Sequence, residues 1–150
     1  MRGLVCKMCG YVSLSEVESQ CPVCKAKDVF QMKEDAYNYK MLDIEKIANE
    51  TEKKHIPVFT IVKKCDLIPE SECLDVHVKI GEVTHPMLSE HCITEITFYV
   101  NNKFVENVMF TPNIINAATV IHLKGDIIGK VQVIGNCNLH GKWFNEVCIK

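Results

Sequence analysis

Residues 93–110 read Ile93-Thr-Glu-Ile-Thr-Phe-Tyr-Val100-Asn-Asn-Lys103-Phe-Val-Glu-Asn-Val-Met-Phe110. Two runs rich in β-branched and aromatic residues flank an Asn-Asn pair, which is the signature of two strands joined by a tight turn. The same texture extends in both directions. Strands are predicted at 56–62, 74–80, 93–100, 103–110, 118–123, 127–134 and 143–149, with a second turn at Lys124-Gly125-Asp126. Seven short strands in about a hundred residues, punctuated by turn signals, are what an immunoglobulin-like antiparallel β-sandwich requires.

Upstream the texture changes. Residues 34–49 are charged, with Leu42, Ile44 and Ile47 as sparse apolar points, and they read as a connector that is either irregular or a short helix. The chain therefore divides into a small module at 1–33, a linker at 34–49 and the sandwich at 50–150. Its 150 residues suffice for one ordinary domain, or for one of about 100 residues with a small satellite that needs a metal to fold.

The satellite carries Cys6-Lys-Met-Cys9-Gly10-Tyr11 and Cys21-Pro22-Val-Cys24. Each pair can wrap a knuckle around a cation, with backbone N–H groups turned to the sulfurs and Gly10 supplying the turn's conformation. Nine cysteines form an odd count. Two close pairs in one segment read better as metal ligation in a reducing compartment than as disulfides. Four thiolates serve zinc and iron alike, so the ligand set leaves that choice open.

A second group of ligand types is spread through the sandwich. It comprises His55 after Lys54, then His85-Pro86-Met87-Leu-Ser-Glu90-His91-Cys-Ile93, then Cys137-Asn-Leu-His140-Gly-Lys-Trp143. Four imidazoles and a thiolate exceed what a four-coordinate structural zinc site takes, and they suit a redox iron with an open position. On a sandwich these segments lie at strand ends, where loops converge near the surface.

The segments HPM, EHxI and CNLHGxW, in that order over roughly residues 50–150, resemble the desulfoferrodoxin and neelaredoxin family of superoxide reductases. The resemblance implies an immunoglobulin-like fold and iron held by His55, His85, His91 and His140 in a plane, with Cys137 as the axial thiolate. It also implies one-electron reduction of superoxide to hydrogen peroxide, without return of dioxygen. Lys54 matches a lysine that attracts the anionic substrate; read from the residues alone, it is a solvated lysine at a strand entry. The family's glutamate ligand to the ferric state falls on Lys53 here. Either the loop bulges to bring in Glu52, or no carboxylate ligand is used.

The string CKMCGY, CPVC and Phe30 resembles the rubredoxin-like domain of rubrerythrins, which points to iron rather than zinc and to an internal electron relay. Lys25 stands where rubredoxins carry glycine. The implied cofactors are two iron ions per chain, with zinc as the alternative at the first site. The implied partners are superoxide, a donor such as rubredoxin or an NAD(P)H-dependent rubredoxin reductase, and a second copy in a homodimer.

Composition agrees with this picture. A net charge of −2 offers no bulk attraction to nucleic acid or anionic membrane, and Met1-Arg-Gly-Leu-Val runs into Cys6 without an apolar stretch long enough for a signal peptide or a span. A cytoplasmic location is expected. A non-enzymatic electron carrier or redox sensor, and a zinc-ribbon interaction protein, are the competing readings. His77, His122, Cys65, Cys73, Cys92 and Cys148 are assigned to packing or solvent, with a Cys65–Cys73 disulfide as a minor alternative. Trp143 is expected to pack as a lid over the metal loop.

Overall fold

The Asn101-Asn102 pair forms the tight turn expected of it, with both residues at positive φ (50° and 68°) and Val100 opposite Lys103. Asparagine tolerates that conformation, and its twist matches that of the flanking strands. The structure, a computed structural model, describes residues 1–15, 18–39 and 49–149. The apolar points Leu42, Ile44 and Ile47 of the expected connector lie outside the described residues.

Four short strands come first: β1 (Gly3–Cys6), β2 (Val12–Ser13), β3 (Phe30–Lys33) and β4 (Asn38–Tyr39). Helix α1 (Glu50–His55) leads into β5 (Pro57–Val62), β6 (Cys73–Ile80), β7 (Ile93–Val100), β8 (Lys103–Met109), β9 (Ala118–Lys124), β10 (Lys130–Cys137) and β11 (Gly141–Cys148). The first three strands form a small sheet ordered β2-β1-β3. The sandwich pairs a five-stranded sheet, β4-β11-β10-β7-β8, with a three-stranded sheet, β5-β6-β9.

All seven expected sandwich strands are present. The sixth begins at Lys130 rather than 127, because Ile127 and Ile128 sit in a turn closed by Gly129 at φ +114°. Ile128 is largely exposed, so its apolar character does not mark a buried strand. Within the expected 34–49 connector, Asn38 and Tyr39 pair in parallel with Trp143 and Phe144 on β11, and Asn49 caps α1.

The core between the sheets is built from Val76, Val78 and Ile80 on β6, Ile96 and Phe98 on β7 and Val131 and Val133 on β10, all alternate residues, with Ile93 of β7 joining them across a register shift opposite Cys137. The opposite face of the five-stranded sheet is covered too. Tyr99, Ile134 and Phe144 pack there against Val5, Tyr11 and Val12 of the amino-terminal module. Tyr11 stacks on Tyr99 with centroids 6.0 Å apart and meets Phe104 edge-on at 5.6 Å. That two-sided burial leaves β10 covered along nearly its whole length, Gln132 included, although its sequence is not uniformly apolar. No helix among the described residues is long and apolar enough to cross a membrane.

Candidate metal centres

Both knuckles close as their spacing requires. Gly10 N–H donates to Cys6 O at 2.9 Å with Gly10 at φ +81°, and Lys25 N–H donates to Cys21 O at 2.9 Å. Lys25, in the position where glycine was expected, adopts φ +66° all the same and returns its ammonium to Pro22 O at 2.8 Å. The four sulfurs face one point: Cys6 and Cys24 are 3.7 Å apart, Cys9 and Cys21 3.6 Å, and all four lie within 4.8 Å of one another. Tetrahedral ligation at a metal–sulfur distance of about 2.3 Å puts sulfurs about 3.8 Å apart.

Burial raises the Cys6 thiol, but N–H groups of Cys9 and Met8 outweigh it and bring the pKa down to about 7. Burial, reinforced by the neighbouring thiols, pushes Cys9 up to about 12. A cluster that gives up one proton easily and resists the next is one whose remaining charge a cation must balance.

The second centre gathers three segments at one end of the sandwich: the end of α1, the 81–92 connection and the turn from Cys137 to Gly141. Helix α1 ends on His55, and Lys53 O accepts from Glu82 N–H at 2.7 Å, which ties the helix to the segment carrying His85. His85 N–H donates to Ile80 O, so the ring leaves the sheet directly at the end of β6. Asn138 clamps the His91 loop to the Cys137 turn. Its carboxamide oxygen accepts from Cys92 N–H at 3.0 Å, its amide donates to Glu90 O at 3.1 Å, and its backbone N–H donates to Cys92 O at 3.1 Å. Gly141, at φ +77°, turns the chain back into β11 after His140.

The rings form a square. Consecutive centroids are 4.8 Å (His55–His85), 4.6 Å (His85–His91), 5.2 Å (His91–His140) and 4.9 Å (His140–His55), while the His55–His91 diagonal is 6.3 Å. Ligand atoms of His55, His85, His91 and Cys137 lie within 4.8 Å of one another, and Cys137 Sγ is 3.6 Å from His140 Nδ1.

Backbone carbonyls orient two of the rings. His55 Nδ1 donates to Thr51 O at 2.6 Å and His85 Nδ1 to Pro86 O at 2.7 Å, which leaves both Nε2 lone pairs turned inward, 3.2 Å apart. Burial, with the other imidazoles nearby, lowers the pKa of His55 and brings His85 down to about 4. His91 Nε2 is buried with no hydrogen-bond partner. An orphaned ring nitrogen, two inward lone pairs and a buried thiol are what a bound metal ion satisfies, so these residues fit an iron.

Around the square, Lys54 is exposed beside His55. Glu52, buried on the same helix as His55, takes part in that helix's N-terminal cap. Asn49 N–H donates to Glu52 Oε2 at 2.9 Å while Glu52 N–H donates to Asn49 Oδ1, a capping box on α1. Residues 50–55 are helical, without a bulge in the backbone at Glu52. Trp143 stacks on His55 at 5.2 Å and 27°, donating its indole N–H to His140 O at 3.0 Å. His77 is exposed as read, Cys92 is buried, and Cys148 is exposed rather than packed. Sequence reading missed Asn138, whose place inside the Cys137–His140 turn was the available signal, and Lys142, whose ammonium donates to Gly10 O in the first knuckle.

A model of the desulfoferrodoxin family matches residues 47–146, two thirds of the chain. The chain belongs to the desulfoferrodoxin family. It is 33% identical over 104 residues to a superoxide reductase of Pyrococcus abyssi, covering 63% of this chain and 85% of that protein. A Pyrococcus furiosus superoxide reductase is 32% identical over 116 residues, covering 65% and 89%. Among solved structures, the neelaredoxin-type superoxide reductase of Ignicoccus hospitalis superposes with a TM-score of 0.51 at 28% identity, covering 64% of this chain and 80% of that one. Residues 1–46, with the four-cysteine knuckles, lie outside the stretch that the desulfoferrodoxin family model matches.

Proposed function

We propose that this chain is a superoxide reductase whose catalytic centre is the histidine square with Cys137, and whose four-cysteine site re-reduces it. The observation that carries the reading is the square of imidazoles closed by a buried thiol in a member of this family. When bound, ferrous iron supplies the electron that, with two protons, converts superoxide to hydrogen peroxide.

The protein's own work is to prepare that electron's source. Thr51 O and Pro86 O hold His55 and His85 in the tautomer whose Nε2 is free, and their lowered pKa values keep both rings neutral near pH 7. Cys137, at 2% exposure, offers a sulfur ligand shielded from solvent. Trp143 covers the His55 side of the square. Lys54, exposed next to His55, supplies one positive charge that draws an anion towards it. With Glu52 engaged at the helix cap, the reading uses no carboxylate ligand.

Iron at the first site is favoured because a relay gives that module a use. Lys142 supports the relay: it bridges from Gly10 in the first knuckle to the strand that begins at the turn carrying His140. An external rubredoxin-type or NAD(P)H-dependent donor and a homodimer belong to the same proposal. A cytoplasmic location does too, supported by nine free cysteines.

Pulse radiolysis of pre-reduced protein tests the reading. Cys137→Ser should abolish both the fast reaction with superoxide and the ferric-thiolate absorption while the four-cysteine chromophore survives. Near-normal reactivity in that variant would overturn the thiolate assignment. Cys9→Ser with Cys24→Ser should leave the first superoxide turnover intact and remove re-reduction by the donor. Loss of that first turnover with the second iron still bound would reject the relay.

A further inference from the structure

A third convergence of ligand atoms lies at the opposite end of the three-stranded sheet. β5 and β6 run from the iron end, where Pro57 faces Ile80, to a far end, where Val62 faces Asp75. There Asp75 on β6 is paired directly with His122 on β9. Neighbouring Leu74 and Leu123 pack into the sandwich core, so Asp75 and His122 project from the outer face, and Cys73, two residues before Asp75, projects beside them. The segment between β5 and β6 folds back over this face and brings Cys65 down onto the group. Cys65 and Cys73 are 8% and 7% exposed.

The distances are short throughout. His122 Nδ1 is 2.7 Å from Asp75 Oδ1, 3.4 Å from Cys65 Sγ and 3.7 Å from Cys73 Sγ, and Cys73 Sγ is 3.3 Å from Asp75 Oδ1. All four ligand atoms lie within 4.8 Å of one another. One ring nitrogen makes one hydrogen bond, yet a carboxylate oxygen and two sulfurs crowd the same nitrogen of His122. That arrangement also excludes a nucleophile–histidine–carboxylate relay, in which thiol and carboxylate must face opposite ring nitrogens.

A cation at the centre accounts for all four groups together. Bonds of about 2.3 Å to sulfur and about 2.05 Å to nitrogen and oxygen place tetrahedral ligands about 3.6 Å (S···N) and about 3.3 Å (N···O) apart. Of the four distances above, the His122–Asp75 one must open most, by roughly 0.6 Å, once the shared proton is replaced by the metal. We propose that Cys65, Cys73, Asp75 and His122 form a closed, four-coordinate structural site for a zinc-class divalent ion, separate from both iron centres. Two thiolates with imidazole and carboxylate are ligands zinc accepts, and four protein ligands leave no open position for chemistry. Its role is to pin the 64–72 segment, which carries Cys65, to the sheet that carries Cys73, Asp75 and His122.

The test uses the full chain loaded with both irons, to which zinc is added and then removed in excess by gel filtration. Wild type should retain about one equivalent of zinc more than a Cys65→Ser, Cys73→Ser double variant, with iron content equal in the two. Equal zinc content overturns the proposal. Should the double variant fold poorly, the His122 position decides: His122→Cys, which restores a ligand, should keep the extra zinc, and His122→Phe should lose it, whereas equal retention by both overturns the site. In wild type, zinc should slow alkylation of Cys65 and Cys73 at least tenfold, and unchanged labelling overturns the assignment. A Cys65–Cys73 disulfide in the protein as isolated, found by non-reducing peptide mapping, also overturns it.

Discussion

Tyr99, on the central strand β7, donates its phenolic hydroxyl to the backbone carbonyl of Val12 at 2.5 Å, and neither residue meets solvent. Burial holds the phenol well above its ordinary pKa, so it remains a donor at any working pH. The bond joins the amino-terminal module to the sandwich inside a shared apolar cluster. The first metal site is thus an extension of the sandwich's outer face.

Tyr99→Phe should therefore cost about 1–2 kcal/mol, because Val12 O is left buried and unpaired. The loss should appear as earlier release of the four-cysteine metal on heating, read as chromophore bleaching ahead of the far-ultraviolet transition. Coincident transitions in the variant would show that the bond does not couple the modules.

Lys25 holds φ +66° without being glycine. Lys25→Gly should stabilise the holo form by about 0.5–1 kcal/mol, since left-handed backbone costs about 1–2 kcal/mol for a residue with a Cβ and glycine returns part of that as chain entropy. Slower release of the first metal to a chelator is the readout, and the lost contact with Pro22 O sets the upper limit of the gain.

Glu52→Ala removes half of the capping box on α1, the helix that delivers His55. Stability should fall by about 1 kcal/mol. The ferric absorption should stay where it is, because the carboxylate is committed to Asn49. A shifted ferric band would return Glu52 to the metal.

Lys54→Ala should lower the second-order rate with superoxide by on the order of threefold at low ionic strength, the effect of one unit charge several ångströms away in water. The salt dependence should flatten and the iron content should not change. An unaltered rate across a salt series removes the steering role.

Without its metal, the histidine square should make the fold sensitive to mild acid. His85 has its folded pKa lowered from 6.5 to about 4, so below 6.5 the unfolded chain takes up a proton that the folded chain refuses. Stability of the apoprotein should fall as pH drops from 6.5 to about 4 and level off beneath that. Denaturant midpoints measured at half-unit steps would show the slope, and a flat profile over that window would contradict it.

Much of the molecule is legible along the chain. Knuckle spacing marks Cys6, Cys9, Cys21 and Cys24 because their ligation is local, and strand texture marks the seven sandwich strands because burial imposes alternation. His55, His85, His91, Cys137 and His140 are legible through motif resemblance, and their grouping requires strand ends that meet in space. The Asn49–Glu52 capping box has a recognisable local signature, and it competes with the ligand role that the motif resemblance offers Glu52. The pairing of Asp75 with His122, forty-seven residues apart, depends on the register of β6 against β9 and has no local signal at all. Ile127 and Ile128 imitate a strand start because apolar character alone does not distinguish a strand from a turn in which Ile127 packs on the core and Ile128 is exposed.

Strand β11 has consequences for how the gene can vary. Lys142 and Phe144 face the amino-terminal module, whereas Trp143 faces His55 and Asn145 reaches Pro57 O on the other sheet. Adding or deleting a single residue between Cys137 and Gly141 would exchange the two sets, presenting an indole to the first knuckle and an ammonium to the histidine square. That turn should tolerate substitution at its exposed Leu139 far better than any change of length.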